Sequence, residues 1–315
     1  MIELRETLDL LRSGTLSRAS LYALSNLSRK ESGTAWAVCA GLPVALRDKL
    51  VRQLVEIAED DFQVNFGEIF RRALEDESAA VRLAAVEGLW EDEDVRLVGL
   101  LAPRLLEETD AAVRAAAADS LGRFVLLGEL GKIREQPHRA ALRALLAAAA
   151  VPEEVISVRR RIVESLAYSG EEAVADLIQR AYQDPSEEMR TSAVFAMGRS
   201  ADERWSAVVL SEMFAPNPAM RYEAARACGE LELEDAVLSL IDLVEDVDVE
   251  VQQAAIWSLG QIGGEEARRT LKNCCHSDNE AIRSAAQEAL CELEFLQGNL
   301  GMFFTDDDFD EGEYW

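Results

Sequence analysis

Apolar residues recur along most of the chain at intervals of three and four positions, with polar and charged residues between them. The segment 234–241, EDAVLSLI, shows this spacing, and so do the segments 171–182 and 203–214. Such spacing places the apolar side chains on one face of a helix and predicts amphipathic helices. Short turns rich in Gly, Pro and Asp separate these stretches. The chain is therefore predicted to be all-α.

A short pattern recurs in this helical sequence: an apolar residue, then usually Arg, then small residues, ending in a small residue, Leu and Gly. Its copies begin at Val81, Val113, Val158, Met189, Met220, Val251 and Ile282. The last five starts are 31 residues apart, whereas the second and third are 45 apart, which indicates an insertion near residues 123–150. In the sixth copy Gln252 takes the place of the Arg, and the third copy lacks the small residues. A spacing that holds four times in succession indicates an internal repeat.

Each copy carries a helix start signal three residues before its first position. The residues there are Ser78, Asp110, Val155, Ser186, Asn217, Asp248 and Asn279. Six of these seven are side chains that cap the free N–H groups of a helix start, and Pro218 follows Asn217 in the first turn, where proline fits best. With the apolar stretch upstream, each copy predicts a two-helix hairpin. A single hairpin cannot bury its apolar face alone, so the hairpins are expected to stack.

Two of the repeats resemble a known family. The runs DVDVEVQQAAIWSLGQIGGEEARRTL and PSEEMRTSAVFAMGRS are similar to HEAT repeats, of the short bacterial kind also called HEAT-like or phycobilisome-lyase-type repeats. The resemblance covers about residues 65–297 and implies a right-handed α-solenoid, a superhelix of stacked two-helix repeats. It also implies that second helices line a concave face, and that the repeated arginines pair with turn acids such as Asp184 or Asp246 to tie adjacent hairpins together.

The pattern divides the chain into three parts. Residues 1–62 are predicted to form a helical N-terminal cap of degenerate repeats, and residues 63–297 an array of about seven repeats. The helical pattern is expected to end near Gln297, where Gly298 and Asn299 supply a stop signal. Residues 298–315 then form an acidic, aromatic tail.

Charge narrows the possible partners. The chain has 32 Lys and Arg against 59 Asp and Glu, a net charge of −27. This charge disfavours nucleic acid and anionic membranes, and with them the HEAT-like DNA glycosylases, whose grooves must be basic. It favours another protein with a basic surface as the partner. The five cysteines, an odd number without framework spacing, and the absence of a long apolar stretch predict a reduced, cytoplasmic protein.

Candidate catalytic chemistry is sparse. The two histidines, His138 and His276, stand in no HExxH or comparable pattern, so the di-metal hydroxylases built on HEAT repeats are not matched. The run from Cys274 to His276, with Asp278, lacks a second ligand pair and is interpreted as a helix end. Neither a phosphate-binding glycine loop nor a nucleophile elbow is present. We therefore expect no enzyme activity, no metal and no cofactor.

A partner-binding surface is predicted from the positions two and six residues after each repeat start. These positions should face away from the core, and most hold small or charged residues. Three consecutive repeats instead carry aromatic residues there, and we predict a concave patch of Phe195, Tyr222, Arg226, Gln253 and Trp257. The alternative is that superhelical twist lets these aromatics pack on neighbouring repeats.

The acidic, aromatic tail allows two interpretations. Residues 302–315 hold six acids, no Lys or Arg, and the aromatics Phe303, Phe304, Phe309, Tyr314 and Trp315. They form either a motif that docks, on another protein or in the chain's own groove, or a loose charged terminus.

The leading function is a non-catalytic protein–protein interaction scaffold that binds its partner on the concave face. The alternative is an accessory subunit of a chromophore lyase-like enzyme that binds a tetrapyrrole in the groove. The sequence indicates neither the partner's identity nor the oligomeric state.

Overall fold

The computed structural model describes residues 4–13 and 17–303, with side chains up to residue 295. Within these ranges the chain forms α-helices and three short 3-10 turns, and no strand. The helices are α1 Leu4–Arg12, α2 Arg18–Leu21, α3 Arg29–Cys39, α4 Val44–Asp60, α5 Gly67–Ala73, α6 Ala79–Glu87, α7 Arg96–Leu106, α8 Ala111–Glu129, α9 Glu135–Ala149, α10 Ile156–Leu166, α11 Glu172–Tyr182, α12 Glu187–Arg199, α13 Ser206–Glu212, α14 Pro218–Glu230, α15 Val237–Leu243, α16 Val249–Ile262, α17 Glu265–Cys274 and α18 Glu280–Phe303.

These helices group into two compact units, residues 1–174 and 175–315. In the first unit the second helices of successive hairpins, α4, α6, α8 and α10, pack side by side in chain order. In the second unit α12, α14, α16 and α18 do the same. The prediction of stacked two-helix repeats is thus confirmed within each unit.

The 45-residue gap between the second and third copies has a simple structural cause. Helix α8 is 19 residues long and α9 is 15, whereas α12 and α14, the second helices of two later repeats, have 13 residues each. The additional residues therefore lengthen the two helices that flank the turn near residue 131, and they form no separate domain.

The predicted helix starts are confirmed by the caps. Side-chain oxygens of Asp110, Ser186, Asn217, Asp248 and Asn279 accept hydrogen bonds from backbone N–H groups in the first turn of their helices. Ser78 and Val155 hold the cap positions of α6 and α10 without a side-chain bond. Each cap satisfies N–H groups that would otherwise lack a partner, so the helix start is fixed by local sequence.

Successive second helices approach so closely that only glycine fits at the contact. A Cβ atom added at Gly198 would lie 2.7 Å from the Cα of Ala227, and one added at Gly260 would lie 2.8 Å from the Cβ of Ala289. The same relation joins Gly122 to Ser165 and Gly229 to Ser258. The Gly that closes the recurring pattern is therefore required by the next repeat, whose small residue packs against its bare Cα.

A second contact, between arginine and carboxylate side chains, ties four of the hairpins to the hairpin that follows. An Arg on one second helix pairs with an acid in the turn before the following second helix. The pairs are Arg47–Asp76, Arg82–Glu108, Arg114–Glu154 and Arg221–Asp246, and we call them the arginine–carboxylate ladder. Three of the four pairs are bidentate, with N–O distances of 2.6 to 2.9 Å. The expected pairing of the repeated arginines with turn acids is confirmed for Asp246.

The repeated arginines, inside and outside the ladder, also order their own turn. Arg82, Arg190 and Arg283 each donate through Nη1 to the backbone carbonyl six residues earlier, at 2.7, 2.9 and 2.7 Å. On the acceptor side, Glu108 receives the backbone N–H groups of Thr109 and Asp110 at 2.9 and 3.1 Å. Each bidentate pair therefore fixes two turns and the distance between them.

The arginine–carboxylate ladder is interrupted at the sixth copy, where Gln252 takes the place of the arginine. Gln252 keeps the bond to its own turn, since its Nε2 lies 2.6 Å from the Asp246 carbonyl oxygen. The position in the next turn that would hold the acid is Ser277. A neutral amide thus stands where the corresponding position of the following turn is a serine, and no buried charge is left unpaired there.

Arg47 extends the ladder into the N-terminal region, where the recurring sequence pattern has no copy. It is 4% exposed and donates to Asp76 at 3.1 Å and to the Leu42 carbonyl at 2.7 Å. The spacing from Arg47 to Arg82 is 35 residues, outside the regular period. Arg47 therefore makes the contact of a repeated arginine from a position outside the regular repeat.

The last helix runs further than its sequence suggests. We expected an end near Gln297, but α18 continues through Gly298 and Asn299 to Phe303. A glycine inside a helix costs only about 1 kcal/mol relative to alanine, which the rest of a 24-residue helix can offset.

The close glycine contact gives a direct test. Gly198→Ala should lower the free energy of unfolding by about 1 to 3 kcal/mol, because the new methyl meets the backbone of Ala227 and cannot rotate away. Gly99→Ala is the matched control: Gly99 lies within α7 with no atom near its would-be Cβ, so its substitution should leave stability unchanged or raise it by up to about 1 kcal/mol. Urea denaturation followed by circular dichroism measures both. Equal effects of the two changes would contradict the proposed contact.

The ladder predicts a dependence of stability on pH. Burial tends to raise the pKa of Glu108, but Arg82 and the backbone N–H groups outweigh burial and lower the pKa to about 2. A depressed pKa stabilises the fold above the unfolded-state value of 4.5, and this contribution is lost as the pH falls towards 2.

Glu108→Gln should therefore lower the free energy of unfolding by about 3 kcal/mol near neutral pH. The difference from the unaltered protein should narrow between about pH 5 and pH 3. The neighbouring, exposed Glu107→Gln is the control, with an expected change below about 0.5 kcal/mol. A difference that stays constant over this pH range would show that the carboxylate charge is not what stabilises the turn.

Candidate partner-binding groove

The five predicted patch residues lie on successive second helices of the second unit. Phe195 is on α12, Tyr222 and Arg226 are on α14, and Gln253 and Trp257 are on α16. All five are half-buried. Each therefore retains exposed surface, although none projects freely into solvent.

A row of contacts links these helices through two arginines and one acid. The Arg226 guanidinium carbon lies 3.5 Å from the centroid of the Trp257 ring, and that of Arg199 lies 5.3 Å from the Phe195 centroid. Both arginines pair with Glu230, whose Oε1 is 2.5 Å from Arg199 and 3.3 Å from Arg226. Arg226 is thus held by an aromatic face and a carboxylate of its own chain, and its first role is to position Trp257.

Arg199 and Glu230 were not among the residues predicted from sequence. Each stands four positions after a predicted residue, Phe195 and Arg226 respectively, on the same face of its helix. Reading that spacing together with the 31-residue repeat would have found both.

Trp257 packs on the preceding repeat as well as facing outwards. A Cβ atom on Gly229 would lie 2.7 Å from Cζ3 of the indole ring, so the ring lies over this glycine. One edge of Trp257 therefore takes part in repeat packing, as the alternative interpretation expected, while the rest of the ring stays accessible.

Four of the five predicted residues line one groove, which we call the Tyr222–Trp257 groove. Its volume is about 890 Å³, and it lies along α14, α16 and α18. Tyr222, Arg226, Gln253 and Trp257 line it, and Phe195 does not. The structure therefore brings Phe195 into the row of contacts but leaves it outside the groove.

The rim of the groove is acidic. The lining carboxylates are Glu223, Asp248, Glu250, Glu288 and Glu292, and Arg226 is the one lining cation. Three of these acids, Glu250, Glu288 and Glu292, are exposed and form no ion pair with any described residue. The overall acidity of the sequence did not show that carboxylates would gather around the two aromatics, because three different helices contribute them.

The sites considered for catalysis have ordinary structural surroundings. Cys275 is the C-cap of α17, and the His276 Nδ1 lies 2.9 Å from the Lys272 carbonyl oxygen, as the helix-end interpretation expected. Among the described residues, no group of three or more His, Cys, Asp or Glu is placed to hold a metal ion.

Two other expectations concern the aromatic residues of the tail and the presence of a membrane-spanning helix. Of the tail aromatics, Phe303 is the last residue of α18, while Phe304, Phe309, Tyr314 and Trp315 lie outside the described residues. No helix in the described part of the chain has the length and apolar character needed to cross a membrane.

Paired helices that pack in register on the next pair define a helical repeat protein of the solenoid class. A family model of HEAT repeats matches residues 206–291, which hold α13 to α17, most of the Tyr222–Trp257 groove and the first part of α18. This segment is therefore similar to HEAT repeats, and the paired-helix fold is found outside it as well.

Similar proteins match the chain over different lengths. Mouse (Mus musculus) RIPOR family member 3 is 45% identical over 56 residues, which are 18% of this chain and 6% of that protein. Yeast importin-β (Kap95p) superimposes with a TM-score of 0.56 at 13% identity, covering 96% of this chain and 49% of that one. A Kap95:Nup1 complex gives a TM-score of 0.54 at 12% identity with the same coverage. At these identities the structural likeness shows the fold alone, and the chain spans about half the length of importin-β.

Human deoxyhypusine hydroxylase is also similar, at 18% identity over 85% of this chain and 97% of that one. Its TM-score is 0.37, which is too low to support an argument about activity.

Proposed function

We propose that the protein is a non-catalytic protein-interaction scaffold and that a partner protein docks in the Tyr222–Trp257 groove. The observation that carries the proposal is a pair of half-buried aromatic residues lining an open groove of about 890 Å³. Aromatic side chains held in place contribute much of the binding energy of protein interfaces. Arg226 and Gly229 already restrict Trp257, so little side-chain freedom remains to be lost on binding.

Charge indicates the kind of partner. The rim acids repel nucleic acid phosphates and favour a protein surface with Lys or Arg. In the Kap95:Nup1 complex a protein of similar fold is assembled with another protein, which supports this use of the fold. A cytoplasmic location is part of the proposal and rests on the odd number of cysteines.

The alternative, an accessory subunit that binds a tetrapyrrole, receives no specific support from the groove. Tetrapyrroles of the bilin type carry propionate groups, which the carboxylate rim would repel. We therefore do not propose it.

The proposal is tested by locating the partner and then measuring its affinity. A photo-crosslinking amino acid at Gln253, inside the groove, should capture a protein from extracts of the source organism. The same amino acid at Ser211, an exposed position on α13 outside the groove, should not capture that protein.

With the captured partner purified, Tyr222→Ala combined with Trp257→Ala should weaken binding about tenfold or more, because two aromatic contacts are removed. Circular dichroism should show unchanged helicity. Phe214→Ala, at a residue that is 70% exposed and outside the groove, is the matched control and should bind normally. Normal binding by the double variant would rule out the groove as the docking site.

A further inference from the structure

The first unit carries a second groove that the sequence pattern did not indicate. Phe62, in the turn after α4, and Trp90, in the turn after α6, line one groove of about 980 Å³. Phe62 is 86% exposed and Trp90 is 58% exposed. Exposed aromatic surface that lines a groove with a polar rim is typical of interaction sites. We call it the Phe62–Trp90 groove.

The backbone that carries these aromatics is held in place. In the turn with Phe62, the N–H of Asn26 donates to the Asn65 carbonyl oxygen at 2.7 Å. In the turn with Trp90, Arg123 donates to the carbonyl oxygens of Leu89 and Asp92 at 3.1 and 2.8 Å. Both turns are therefore fixed by long-range bonds, and the two aromatics are presented on ordered backbone.

The carboxylates around this groove fall into two groups. Asp92 and Asp94 both pair with Arg71, and Asp94 pairs also with Arg96, so these two carboxylates are neutralised within the unit. Three other lining acids, Glu59, Glu91 and Glu93, are exposed and form no ion pair with any described residue. The groove therefore presents aromatic faces beside carboxylates that have no cation of their own.

We propose that the Phe62–Trp90 groove binds a basic, arginine-containing segment of another protein. A guanidinium group can stack on an aromatic face while it bonds a carboxylate, and arginine does both better than lysine. The protein uses the same combination internally, where Arg226 contacts the Trp257 ring and Glu230. The chain's own tail is an unsuitable occupant, because residues 302–315 hold six acids and no Lys or Arg. The inference is independent of the Tyr222–Trp257 groove.

The experiment measures the binding of a fluorescein-labelled octapeptide of alternating Lys and Arg by anisotropy. Salt of about 150 mM suppresses weak, diffuse attraction to an acidic protein. Phe62→Ala combined with Trp90→Ala should weaken binding about tenfold. Glu59→Gln, Glu91→Gln and Glu93→Gln together should weaken it and reduce its salt dependence. Because both aromatics are exposed, the double variant should keep its fold, and circular dichroism checks this.

Matched controls separate the groove from general acidity. Phe214→Ala removes an equally exposed aromatic elsewhere, and Glu107→Gln, Glu153→Gln and Glu187→Gln together remove three exposed acids elsewhere. Neither control should change the affinity by more than about twofold.

Several results would overturn the proposal. One is that the peptide does not bind at all, and another is that the groove variants and the control variants lose affinity equally. A third is that only Tyr222→Ala lowers the affinity, which would assign the peptide to the Tyr222–Trp257 groove. Sedimentation that shows a dimer dissociated by the Phe62 and Trp90 changes would instead make this face a contact between copies of the chain.

Discussion

Each two-helix hairpin in this protein can bury its apolar side only against the next hairpin, and the contact between successive second helices decides how closely they pack. The bare Cα of Gly198 or Gly260 receives a small residue of the following repeat at a distance where no methyl would fit. This contact sets the separation of the helices, and with it the positions of every side chain on their exposed face. Trp257 can lie over Gly229 for the same reason.

The arginine–carboxylate ladder adds a second, more specific constraint. A buried ion pair contributes little net stability by itself, but removing one partner leaves a buried charge alone, so the pairs penalise wrong registers between hairpins. The chain changes both partners together at Gln252 and Ser277, where neither side is charged. Buried arginines such as Arg47 and Arg82 are also withdrawn from the surface. Each withdraws one carboxylate with it, Asp76 and Glu108 respectively, so the excess of acidic residues stays on the surface.

Because acidic residues predominate on the surface, the exposed aromatic residues lie beside carboxylates. In each unit a groove combines aromatic side chains with carboxylates that form no ion pair with the described residues, such as Glu250 in one and Glu91 in the other. Within the chain, Arg226 shows how a guanidinium group satisfies such surroundings. The two proposals therefore rest on one kind of chemistry at two separate sites.

The sequence by itself determined the elements and their order. Helix starts depend on local hydrogen bonds such as those of Asp248, and the 31-residue spacing follows from a contact that the repeats share. Both features can therefore be predicted from a single sequence. The orientation of Tyr222 and Trp257 could be predicted in the same way, from helix periodicity. Tertiary structure alone decided the rest, because it depends on residues distant in sequence. Arg47 reaches Asp76 outside the regular period, Glu230 joins two helices, and Phe62 and Trp90 share a groove although they stand in irregular turns with no periodic pattern.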